Sequence, residues 1–204
     1  QVGTLGEANE INCHRRGEIV SKKNDNFFAE KKSWSAVKDE LLSCYLKPYV
    51  QKILRTNKPL VYIDCFAGKG KFDDGQNGSP IIALNAILDC TNQTKAQNVR
   101  IETVFIDLYH AKDLQKNLKR YPGVKIVSGK YEDNITEILV DKACCNVFLY
   151  IDPYGIKALE CSKFDEFTNG QFNSIELLIN LNSFGFIREA CRVMDTSFYD
   201  EELF

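Results

Sequence analysis

The stretch LVYIDCFAGKGKF, residues 60–72, constrains this chain more than any other. Its first six residues, LVYIDC, form an apolar run broken only by the acid at its fifth place, which predicts a strand buried on both faces, as in parallel sheets covered by helices. Asp64 sits near the end of that run, and Gly68 and Gly70 follow at once in a turn. In an open α/β sheet, ligands bind beyond the carboxyl ends of the strands, where the strand order reverses. A buried strand, an acid and a glycine turn therefore point to a small-molecule site, and the open question is which ligand it takes.

The rest of the chain supplies the sheet around that strand. After residue 59 strands and helices alternate. Strands are expected at 60–65, 101–107, 124–129, 146–152 and 175–181, with helices at 79–90, 110–121 and near 132–143. Alternation of this kind implies an α/β fold with a mostly parallel sheet and helices on both faces. Ahead of it, residues 1–26 are polar and aperiodic and read as a loose arm. Residues 27–58 read as a helical segment. There Trp34, Val37, Leu41, Leu42, Tyr45 and Leu46 recur at helical spacing, with Ser33 as a plausible N-cap. Lys47-Pro48 should kink or end that helix. Residues 59–204 form the ligand-binding domain.

Composition excludes several classes. The chain has 204 residues and 44% hydrophobic content, ordinary for a globular domain. No apolar run approaches the roughly 20 residues of a membrane span, so no membrane association is expected. The eight cysteines include no CxxC pair, and His14 and His110 are the only histidines. No metal site is expected; buried, reduced thiols in a cytoplasmic protein are. Residues 1–58 carry 11 Lys/Arg against 7 Asp/Glu, while 59–204 carry 15 against 21, which hints at a basic face on an acidic body.

Three ligands could use the glycine turn. A nucleoside triphosphate site needs G-x-x-x-x-G-K-[ST], and Lys71-Phe72 after the last glycine breaks that spacing. A dinucleotide site needs a third glycine inside a helix that opens at once. Asp73 holds that slot, and Asp73 and Asp74 would repel a pyrophosphate. S-adenosylmethionine has no phosphate and carries a sulfonium cation. Small residues at Ala67, Gly68 and Gly70 would let the backbone approach it closely. Asp64 would tolerate or bind its cationic end. Asp107, closing VFID, would accept both ribose hydroxyls, and Tyr131 and Glu132 in GKYED (129–133) would flank the adenine.

IDPYG (151–155) adds chemistry. Amino-group methyltransferases often place Asp/Asn-Pro-Pro-aromatic after the fourth strand, where the acid and a proline carbonyl accept hydrogen bonds from an exocyclic amine. Here Asp152-Pro153-Tyr154 offers the acid, the first proline and an aromatic ring one place early. A plain strand-ending Asp-Pro turn is the competing reading.

FFAEKKSWSAVKDELLSCYLKPYV, VYIDCFAGKGKFDDGQNGSPIIAL and YIDPYG together resemble the three-Cys-motif partner protein family, whose members are class I methyltransferase-like. A more distant likeness joins the first two blocks to ribosomal RNA adenine-N6 methyltransferases. The resemblance implies a Rossmann-like class I methyltransferase sheet of order 3-2-1-4-5. Only five strands are counted by residue 181 where that fold has seven, so the C-terminal strands are expected to be missing. It also implies cofactor contacts at Asp64, Phe66, Gly68, Gly70 and Asp107, and a catalytic face at Asp152, Pro153 and Tyr154. Ser79-Pro80 would shape the cofactor loop. Lys31, Lys32 and Lys38, beside Trp34, would belong to a helix that covers the site or meets an anionic substrate. Alternatively, Trp34 packs on the core and the lysines are solvated.

Beside a different nucleotide-using enzyme on the same fold, two functions follow. One is S-adenosylmethionine-dependent methylation of an amine, with nucleic acid as the substrate class. The other is a non-catalytic module that keeps the fold and serves a protein partner encoded nearby, in a phage- or defence-related system.

Overall fold

The computed structural model describes residues 25–94, 99–155, 159, 161–181 and 183–193. A 3-10 turn at Asp25–Phe28 leads into α1 (Ser33–Leu54). Then follow β1 (Leu60–Asp64), α2 (Ser79–Thr94), β2 (Ile101–Asp107), α3 (Ala111–Asn117), β3 (Val124–Ser128) and α4 (Tyr131–Val140). β4 (Asn146–Ile151), α5 (Cys161–Thr168), β5 (Ser174–Ile179) and α6 (Ser183–Val193) complete the described elements. The strands form one sheet of order β3-β2-β1-β4-β5, and every pairing is parallel. This is the Rossmann-like, methyltransferase-type arrangement expected from the sequence.

Alternation along the strands builds the two cores. Leu60, Tyr62, Phe105, Phe148 and Tyr150 point to one face, against α1, α2 and α3. Val61, Ile63, Val104, Ile106, Val147 and Leu149 point to the other, against Tyr131, Ile135 and Ile138 of α4 and Phe167 of α5. A strand covered on both sides needs no polar face, which is why β1 and β4 are buried throughout. With β1 central, the order reverses between β1 and β4. The loops after these strands open onto that switch point.

Several local expectations are corrected. α1 runs unbroken through Pro48. The missing amide costs one helical bond to the carbonyl four residues back, and burial of Leu42, Leu46, Val50, Ile53 and Leu54 offsets it. Lys32, not Ser33, stands at the N-cap, with no side-chain cap bond. α3 ends at Asn117, though Leu118 and Tyr121 beyond it still pack into the core. The helices α5 and α6 were not anticipated. Cys65 and Cys90 are buried as expected, whereas Cys44 and Cys144 are exposed. The expected arm lies outside the described residues apart from its last two positions, as do Cys13 and His14.

Candidate active site

The loops at the switch point enclose two adjoining cavities. The larger, about 430 Å³, lies over the ends of β1, β4 and β5 and under the start of α1. Lys38, Asp39, Gly68, Gly70, Ser79, Asp152 and Asn180 are among its lining residues. The smaller, about 360 Å³, lies over the ends of β1, β2 and β3 and is lined by Asp107, Tyr109, His110, Gly129, Tyr131 and Glu132. Phe27, Phe28, Phe66 and Tyr154 line both. Each volume falls within the range of about 300–1,000 Å³ typical of small-molecule sites.

The glycine turn is shaped by left-handed backbone at Gly68 and Gly70, at φ 61° and 73°. Its surface is not bare. A Cβ at Gly68 would stand 2.9 Å from the Phe28 ring, and one at Gly70 would stand 2.8 Å from Leu114. Part of the close approach that requires glycine here is therefore made by this chain's own side chains. Phe28 is clamped in place. Its ring meets Phe72 and His110 at centroid distances of 5.7 and 4.9 Å, and the Lys69 ammonium lies 5.1 Å from its centre. Its carbonyl accepts from the Asp73 amide.

Three carboxylates end three neighbouring strands, and they differ. Asp64 is fully buried and lines neither cavity. One oxygen accepts from the Phe66 amide at 3.1 Å and the other from the Ser79 hydroxyl at 2.8 Å. Burial pushes its carboxyl up to about 7; the two hydrogen bonds oppose this, and the charges of Asp152 and Asp107 add to it. Asp107 lines the smaller cavity, yet both its oxygens are engaged: Oδ2 accepts from the Gly68 amide, Oδ1 from those of Tyr109 and His110. It thus ties the glycine turn to the loop after β2. Its expected role of accepting both ribose hydroxyls would have to share lone pairs with three amides. Asp152 faces the larger cavity and is only half-buried.

The lysines separate sharply. Lys31 is not solvated and does not face an open site. Its side chain is 8% exposed, and its ammonium pairs with Asp39 at 2.6 Å and donates to the Asn77 carbonyl at 2.8 Å. Lys32 is exposed beside Glu30. Lys38 lines the larger cavity and forms an ion pair with Asp152. The structure thus unites Lys38 with Asp152, Pro153 and Tyr154, and Phe66 with Asp107, Tyr131 and Glu132; Lys31 and Lys32 stand apart. Trp34 is 52% exposed rather than packed in the core. Its ring borders the larger cavity, with the Lys38 ammonium 5.1 Å from its centre.

Sequence reasoning missed Phe27 and Phe28, Asp39, His110 and Asn180. The paired phenylalanines in an otherwise polar lead-in were the one available signal. His110 is buried and its Nδ1 has no hydrogen-bond partner, on the wall of the smaller cavity. Among the described residues no group of His, Cys, Asp and Glu is placed to hold a metal ion, and no helix is long and apolar enough to cross a membrane.

No family model matches the chain, and no curated protein matches it. Among solved structures it is similar to "Putative methyltransferase yhhF from Escherichia coli", at 16% identity and a TM-score of 0.39, over 69% of this chain. The match spans 65% of that protein's chain, a little under two thirds.

Proposed function

We propose that this protein is an S-adenosylmethionine-dependent methyltransferase acting on an amine of nucleic acid. One observation carries the reading: two adjoining cavities at the switch point, one walled by Phe66, Asp107, Tyr131 and Glu132, the other by Lys38, Asp152 and Tyr154. The donor set fits the cofactor. The smaller cavity offers aromatic walls, the Glu132 acid and a buried His110 nitrogen that makes no hydrogen bond and lies 3.8 Å from the Asp113 carboxylate, a set that suits a polar heterocycle and a ribose. The larger adds the Asp152 carboxylate. When bound, S-adenosylmethionine supplies an electrophilic methyl group.

The chain's own residues do the rest. Asp152 accepts a hydrogen bond from the substrate amine and takes its proton. The Pro153 carbonyl is a second acceptor. Tyr154, 71% exposed at the rim, and Trp34 offer faces on which an unstacked base rests. Phe27, 6.3 Å from Tyr154 and 5.8 Å from Trp34, bridges them. Most of the rate enhancement comes from positioning.

Calorimetry with S-adenosylmethionine and S-adenosylhomocysteine tests the cofactor, and labelled methyl transfer to bulk RNA and DNA tests the chemistry. Asp152→Ala is expected to lower transfer by about 100-fold or more; unchanged transfer would remove Asp152 from the mechanism. The blocks quoted above support placing the protein with the cytoplasmic three-Cys-motif partner proteins of bacteria. A second reading, a protein-binding module, draws on the apolar face of α1, where Val37, Leu41 and Tyr45 are exposed beside Trp34. Cofactor binding without transfer to any substrate would favour it.

A further inference from the structure

The acid proposed to receive the substrate amine already holds an amine of the protein. Lys38 reaches from α1 to pair with Asp152, and the two side chains are only 27% and 26% exposed. Lys38 holds Asp152 Oδ2, so an incoming exocyclic amine competes with that ammonium for one carboxylate, and the proton that Asp152 takes from the amine removes the charge that holds Lys38. The displaced cation then lacks a partner close at hand. The adjacent acid, Asp39, is committed to Lys31 at 2.6 Å, and Trp34 offers Lys38 only its ring face. A half-buried cation left unpaired is costly, and more so than the hydrogen bond gained is favourable. A ligand that brings an amine alone therefore competes poorly. A ligand that brings an amine and an anion together does not, because the anion takes over the lysine.

We infer that Lys38 is a specificity-determining residue that exchanges Asp152 for a phosphate of a single-stranded nucleic acid, so that the site admits nucleobase amines only when they arrive on a phosphodiester chain. The aromatic rim supports this occupant. Trp34, Phe27 and Tyr154 surround the mouth that Lys38 guards, and stacking on exposed rings beside a cation is how single strands are held. The inference rests on the amine site proposed above, but its test reads binding and needs no methyl transfer.

Trp34 is the chain's one tryptophan, so its fluorescence reports this mouth. Cytidine and the decamers of cytidylate, ribo and deoxy, are titrated against the protein at several salt concentrations. The wild type is expected to prefer a decamer over cytidine by at least about 100-fold, with a salt dependence. Lys38→Met is expected to weaken decamer binding about tenfold, to reduce its salt slope by about one, and to leave cytidine bound as well or better. Lys38→Arg retains the preference. Trp34→Ala, read by anisotropy of labelled decamers, weakens binding with an unchanged slope, which separates stacking from charge. The ribo and deoxy arms distinguish RNA from DNA as the source of the phosphate.

The inference is overturned if folded Lys38→Met keeps the wild-type decamer affinity and slope, or loses cytidine and decamer affinity equally, or if the wild type binds no decamer. Cofactor binding measured in parallel keeps the two claims apart. A cofactor signal with no Lys38 effect sinks this inference alone. A Lys38 effect with no cofactor signal sinks the methyl-transfer reading alone.

Discussion

The two cavities share a wall but are built on opposite principles. In the smaller, the acid after β2 is locked. Three backbone amides hold Asp107, and through them it fixes the glycine turn against the next loop. In the larger, the acid after β4 is held by one side chain, Lys38, which can let go. Backbone donors have no rotamer freedom to lose, whereas a lysine has four rotatable bonds and can change partner. The comparison teaches that the β2 side of the cleft is preorganised and the β4 side is exchangeable.

Substitutions break or sharpen that contrast to different degrees. Asp107→Ala should cost most. It orphans three amides near the core, on the order of 4 kcal/mol, read as a lower urea midpoint together with lost affinity for the proposed cofactor. Lys31→Met should follow, at about 3 kcal/mol near pH 7, because it strands the buried Asp39 without its cation. Burial already pushes the Asp39 carboxyl up, against the pull of Lys31. The variant's deficit should therefore shrink as pH falls and Asp39 takes up a proton.

Asp64→Asn should go the other way. A carboxyl raised to about 7 in the fold holds its proton where the unfolded chain, near 3.8, has lost it. Its contribution to stability is fully present below about pH 4 and is lost as pH rises toward 7 and above. Asparagine avoids that loss. We expect a gain of about 2 kcal/mol at pH 8 and none near pH 4, seen in melting curves at the two pH values. Gly68→Ala comes next, at about 1 kcal/mol or somewhat more. It meets both the left-handed backbone and the Phe28 ring, and Phe28→Ala in the same chain should relieve only the second part. Leu41→Ser on the exposed face of α1 should move stability by less than about 0.5 kcal/mol. A larger loss would show that this face is covered in solution.

Much of this was legible in the sequence. Continuous apolar runs marked β1 and β4 because strands covered on both faces have no polar side. Asp107 and Asp152 were found because a parallel sheet places the residue after each strand at the same edge. The helix α1 misled on its inward face. Trp34, Val37, Leu41 and Tyr45 satisfy helical spacing as well as Leu42, Leu46 and Val50 do, yet only the latter are buried. Two apolar stripes on one helix cannot be ranked by periodicity. The three lysines were equally opaque. Lys31 and Lys38 lie seven residues apart on either side of the helix start, and nothing local says that one neutralises Asp39 and the other Asp152.

The sequence alone determined the five strands in their order, the helices between the first four and the acids at the strand ends. Each of these follows from periodicity and from turn residues within a few positions. Only the tertiary structure decided that Phe28 lies on the glycine turn, that Asp107 is bound by amides, and that Lys38 holds Asp152 across 114 residues of chain. Those are contacts between distant segments, and their partners are chosen by the packing of α1 against the sheet rather than by any neighbour in sequence.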